Sequence, residues 1–172
     1  MKKKIYRKVY LILGMIGMLG IKSLKNFMYF TTLSNLFCII VVLLELIKNT
    51  NFSELKFVTL TYIMFTFIVF NFIIMPKENY SYNFTSMLFH IVLPIMYFID
   101  FIIYSAKTSK KYILISLIFP FLYFIIIYIL NLCPYFFFTV NVFKWFIKLL
   151  ILFLLEVCFL YITKLVFLKK LW

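Results

Sequence analysis

The chain is 172 residues long, 66% apolar and 23% aromatic, with only 13% charged residues. Soluble domains carry about 25% charged and roughly 45–50% apolar residues, so this composition excludes a soluble globule, and it is far too apolar for disorder. The 18 Lys+Arg against 5 Asp+Glu leave a net charge of +13. The lysines fall mostly between apolar runs, where they orient helices in a bilayer rather than bind nucleic acid.

A spanning helix needs about 20 apolar residues. Six candidates follow in chain order: Val9–Ile21, Met28–Ile47, Phe57–Met75, Phe84–Ser105, Tyr112–Leu132 and Trp145–Phe167. They predict an all-α bundle, one integral membrane domain over residues 1–172, with no room for a soluble domain. The first segment is short, and it spans only if Arg7, Lys8 and Lys22 snorkel to the interfaces. It resembles a signal peptide, but no small-residue cleavage site follows, so it reads as a retained helix. All three glycines, Gly14, Gly17 and Gly20, fall inside it. Small residues let membrane helices approach closely, which predicts tight packing on a neighbour.

Charge parity supports six spans. With the N-terminus cytoplasmic, thirteen basic residues lie inside, Arg7 and Lys56 among them, and five outside, namely Lys22, Lys25, Lys77, Lys144 and Lys148. The positive-inside rule then puts both termini in the cytoplasm and the protein in the plasma membrane as a multi-pass protein. The longest connection, Cys133–Lys144, is too apolar for a free loop and is expected at the outer surface or the bundle mouth.

Polar groups inside the spans call for partners or purposes, because an ionisable side chain in lipid costs several kcal/mol. Thr31 and Asn35 share a face of the second segment, with Ser34 adjoining. Hydroxyls can bond back to their own helix, whereas the Asn35 amide needs a partner on a neighbouring helix. His90, the one histidine, lies at the same depth on the fourth segment. Either it acts there as a general base on a hydroxyl or it ties two helices together. Pro94 is expected to kink that helix and free a carbonyl. Glu45 is expected to snorkel and pair with Lys48 one turn on. Asp100 lies deeper in its helix, where snorkelling and a functional role stand as equal readings. Glu156 sits near the middle of the last segment, about 12 Å from Lys148 and from Lys164 along the axis. It calls for a proton or a cross-helix partner. Cys38, Cys133 and Cys158 lack metal-ligand spacing, and one histidine builds no metal site. No cofactor motif is present.

Tyr29-Phe-Thr31-Thr32-Leu-Ser34-Asn35, then His90-Ile-Val-Leu-Pro94 and Asp100, resemble the bacterial six-span membrane proteins related to the eukaryotic androgen-induced membrane proteins. Pro134-Tyr135-Phe136 is a loose counterpart of the segment that precedes the last helix in that family. The eukaryotic relatives are threonine hydrolases of fatty-acid esters of hydroxy fatty acids. The resemblance implies Thr31 as nucleophile and His90 as base, acting on membrane lipids; Ser34, Asn35, Asp100 and Glu156 are read as supporting polar groups from their place in apolar spans. Two other readings stand beside it. One is a small transporter or channel with Asn35, Glu156, Asp100 and Glu45 lining one cavity. The other is a non-catalytic scaffold in which these groups only bind helices together. The sequence leaves the oligomeric state open.

Overall fold

A computed structural model describes residues 2–21, 27–78, 81–106, 108–129 and 138–169. Among them there are helices and no strands. The long helices are α1 (Lys2–Leu19), α2 (Phe30–Lys48), α3 (Ser53–Ile74), which runs on into a short helical turn Met75–Glu78, α4 (Phe84–Tyr104), α5 (Lys111–Ile129) and α6 (Phe138–Lys169). Five of them, all but α1, are long and apolar enough to cross a membrane, α6 by its stretch Lys144–Phe167. The five basic residues Lys2, Lys3, Lys4, Arg7 and Lys8 keep α1 below that threshold.

Three helix starts differ most from the sequence expectation. The first helix begins at Lys2 rather than Val9, because the charged stretch is itself helical. The third begins at Ser53 rather than Phe57 and thereby includes Lys56. The sixth begins at Phe138, so the end of the expected Cys133–Lys144 connection is helical. Cys133, Pro134, Tyr135 and Phe136, with Lys22, Lys25, Lys107 and Lys170, lie outside the described residues.

The centre of the bundle is α3. It touches α2, α4, α5 and α6, and 67% of its most apolar stretch is buried, against 22% for α5. Its threonines suit a buried position because their hydroxyls donate to carbonyls of the same helix. Thr59 bonds Leu55 (3.1 Å), Thr61 bonds Val58 (2.7 Å) and Thr66 bonds Ile63 (2.7 Å). The outer faces of α5 and α6 carry exposed Leu114, Ile118, Phe121, Leu155, Phe159 and Ile162, apolar surface suited to lipid.

On the other side, α1 packs on α2 and α4. It runs antiparallel to α4. Tyr6 Oη donates to Met96 O (2.8 Å), and the Tyr10 and Tyr97 rings lie 5.5 Å apart. Further along, a Cβ on Gly17 would strike the Phe89 ring and one on Gly20 the Thr85 side chain. A Cβ on Gly14 would come within 2.8 Å of the Ile39 side chain on α2. The small residues therefore give α1 the close approach that a glycine-bearing membrane helix permits.

Two helices contain π-turns, Phe70–Ile74 in α3 and Leu88–Val92 in α4. Such turns shift the hydrogen-bond ladder by one residue and release carbonyls from it. Both lie toward the same end of the bundle.

Candidate functional site

Successive antiparallel helices bring the start of α1 and α3 beside the finish of α2 and α4. At that end lies a buried ion cluster of Arg7, Glu45, Lys56 and Asp100. Arg7 Nη2 reaches Glu45 Oε2 at 2.8 Å, and its Nε donates to Asp100 Oδ1 and Oδ2 at 3.2 and 3.3 Å. Lys56 Nζ donates to Glu45 Oε2 at 2.5 Å and also to Asp100 Oδ2. Each carboxylate is shared by both cations, and the four formal charges cancel. Lys56 is 0% exposed, which only such pairing makes tolerable in an apolar interior.

The α2–α3 link completes the cluster. Asn51 Oδ1 accepts from Arg7 Nη2 (3.2 Å), and its Nδ2 donates to Tyr104 O (2.6 Å). The Phe52 N–H donates to Glu45 Oε1 (3.0 Å). Two expectations are corrected here. Glu45 neither snorkels nor pairs with Lys48, because two better-placed cations approach it from other helices. Arg7 and Lys56 are likewise buried partners rather than interfacial charges. Asp100, which the sequence left without a partner, has two. Lys164 of α6 sits next to this end and donates to Phe101 O (3.1 Å) and Ile102 O (2.8 Å). It thus satisfies carbonyls in the last turns of α4, where a cation also complements the helix dipole.

The second polar group lies toward the opposite end. Ser34 Oγ donates to Thr31 O (2.9 Å), the local bond expected of a helical hydroxyl. Asn35 Nδ2 donates to Thr31 O (2.9 Å) and, across to α4, to Phe89 O (3.3 Å). Asn35 thus finds the neighbouring-helix partner that its amide required, and α2 and α4 meet at the depth of His90. The His90 imidazole is buried and stacks on Phe70 of α3, with centroids 3.4 Å apart and planes 8° from parallel. Its Nδ1 has no hydrogen-bond partner among the described residues, nor has Asn35 Oδ1.

Thr31 borders a small apolar cavity of 30 Å³ lined by Phe30, Phe65, Phe70, Tyr123 and Leu149 among others, about the space of one water. No hydrogen bond joins Thr31 to His90 among the described residues. What they share is Phe70, which lines the cavity and carries the imidazole.

Asn71 escaped the sequence reading. Its Nδ2 donates to Phe67 O (2.7 Å) in its own helix and to His90 O (2.9 Å) in α4, and the Tyr82 hydroxyl donates to its Oδ1. The available signal was an amide placed between Phe70 and Phe72 in an apolar run.

Glu156 stands apart from both groups. It is 5% exposed, on the inward stripe of α6 with Phe153, Val157 and Leu160, and neither carboxyl oxygen has a hydrogen-bond partner among the described residues. An unpartnered buried polar group costs about 1–3 kcal/mol. Glu156→Leu is therefore expected to stabilise the bundle by about that amount, read as a higher unfolding midpoint in detergent. A fall in the midpoint would show that the carboxyl makes a stabilising bond. Of the cysteines, Cys38 is buried and its thiol donates to Thr59 O (3.4 Å), whereas Cys158 is exposed on α6.

Comparison of the chain with family models, with curated proteins and with solved structures finds no match.

Proposed function

We propose that the chain is a six-span plasma-membrane protein with both termini cytoplasmic, whose outer half carries a Thr31/His90 site that hydrolyses lipid esters. In support of the sixth span, α1 runs beside α4 from Tyr6 to Gly20, about 20 Å at 1.5 Å per residue. The ion cluster then lies at the cytoplasmic end and His90 at the outer end.

The observation that carries the enzymatic reading is the position of Phe70. Its ring bounds the apolar cavity that Thr31 borders, and the same ring holds the imidazole. The cavity takes about one water, so it marks an apolar lining beside a hydroxyl, and an acyl chain has to displace lining side chains to bring its ester carbonyl to Thr31. In the proposed reaction, Thr31 Oγ1 attacks the ester carbonyl carbon while a ring nitrogen of His90 takes the hydroxyl proton. Collapse of the tetrahedral adduct expels the alcohol, which receives that proton. A water then attacks the acyl-threonine ester, giving its proton to His90, and fatty acid leaves as the proton returns to Thr31. Both hydrogens of the Asn35 amide are directed at carbonyls, so Asn35 is not the oxyanion donor. Its Oδ1 remains to accept a bond that orients a reacting group.

The transport reading needs Asn35, Glu156, Asp100 and Glu45 in one cavity. Glu45 and Asp100 are instead held by Arg7 and Lys56, and Glu156 lies on a separate apolar stripe.

The test is turnover of long-chain lipid esters by purified protein in detergent, with mass detection of an acyl adduct from an activated ester. Thr31→Ala is expected to remove both the turnover and the adduct. Full activity in that variant would overturn the nucleophile.

A further inference from the structure

The π-turn in α4 and Pro94 act on the same two carbonyls. Within the turn, the Leu93 N–H bonds Leu88 O, five residues back. The next residue is Pro94, which has no N–H to offer. It can serve neither His90 O, four residues back, nor Phe89 O, five back. These are the two carbonyls that receive side-chain amides from other helices: Asn71 Nδ2 on His90 O and Asn35 Nδ2 on Phe89 O.

The two asparagines do the same job in the same way. Each uses one amide group on the carbonyl four residues back in its own helix, Phe67 for Asn71 and Thr31 for Asn35, and on one carbonyl of α4. A carbonyl buried without a donor is costly in an apolar interior, so the paired amides hold the irregular turn in place. Asn71 has a further consequence. It follows Phe70 in sequence, and the carbonyl it holds belongs to His90. One hydrogen bond therefore fixes the backbone on both sides of the Phe70–His90 stack. Tyr82, donating to Asn71 Oδ1, sets the amide so that its nitrogen faces α4.

We infer that Asn71 is a positioning residue for His90: by replacing the N–H that Pro94 lacks, it fixes the carbonyl of His90 and with it the imidazole flat against Phe70. Its importance for turnover rests on the hydrolase reading; the geometric claim does not.

The chain's one histidine makes the test site-specific. The protein is labelled at histidine and its imidazole protons are recorded by NMR in detergent micelles. A ring stacked on Phe70 places these protons upfield of a free histidine. Asn71→Leu, which keeps volume but removes the amide, is expected to return them to the free position. Pro94→Ala restores one N–H, placed four residues on from the His90 carbonyl, so the double variant Asn71→Leu/Pro94→Ala is expected to recover the upfield position. If Asn71→Leu does not fold, recovery of a folded, upfield-shifted protein in the double variant supports the same claim. An unchanged spectrum in Asn71→Leu, or a double variant no better than the single, overturns it. Ester turnover, measured in parallel, should fall and recover with the shift. If the shift follows this pattern and no variant, nor the parent, hydrolyses esters, the hydrolase reading fails while the positioning role stands.

Discussion

Asp100→Ala is expected to destabilise the protein by about 3–5 kcal/mol, the usual cost of leaving a buried charge without its partner. Arg7 and Lys56 would then share Glu45 alone, and two cations would face one carboxylate in a site nearly closed to solvent. Asp100→Asn should be nearly as damaging, because it keeps the shape and loses the charge. The informative comparison is Lys56→Met/Asp100→Leu. Removing one cation and one anion leaves the Arg7–Glu45 pair neutral, and replacing a buried ion pair by apolar residues is often neutral or stabilising. The double variant should therefore recover most of what either single change loses, a coupling that a double-mutant cycle measures directly. Unfolding midpoints in detergent supply the four corners. Additive losses would mean that the cluster is four independent contacts rather than one charge-balanced unit.

His90→Gln is expected to lower the rate of ester turnover by about 10²–10⁴-fold, the range for losing a general base. Glutamine keeps a polar side chain at that depth but cannot take a proton. The fall should appear in kcat with KM little changed, because the substitution leaves the apolar side chains around Thr31 in place. Residues that act as one unit are strongly non-additive. Thr31→Ala combined with His90→Gln should therefore be no slower than Thr31→Ala alone. A further multiplicative loss in the double variant would assign the two residues to separate tasks.

Apolar runs in the sequence located the helices because a bilayer leaves few alternatives to a helix with its backbone bonds satisfied internally. What they misplaced were helix ends, and for the first and third helices the reason is the same. Lys56 and Arg7 look like loop or interfacial charges in a hydropathy pattern, yet both lie inside the bundle. Only the opposing carboxylates on α2 and α4 make that position tolerable, and sequence spacing does not show which distant residues will oppose. The same limit explains Glu45, for which the neighbouring Lys48 was the partner visible locally. Thr31, Ser34, Asn35 and His90 were legible as polar groups in apolar surroundings. So was the carbonyl that Pro94 releases. The residue that answers this carbonyl, Asn71, was not, since its role depends on the facing of two π-turns from different helices.

The ion cluster also has a consequence for the order in which the chain is built. Arg7 and Asp100 are 93 residues apart, so their pair cannot close until almost three-fifths of the chain has been synthesised. Until then the first helix, the least apolar of the six, has Glu45 as its only acidic partner in the cluster. A chain that stops after the third helix would hold Arg7, Glu45 and Lys56 with one excess positive charge at that end. Arrival of the fourth helix brings the missing negative charge and the Thr85, Phe89 and Met96 contacts for the first helix together. The first helix thus gains its packing on α2 early and its charge balance only with α4.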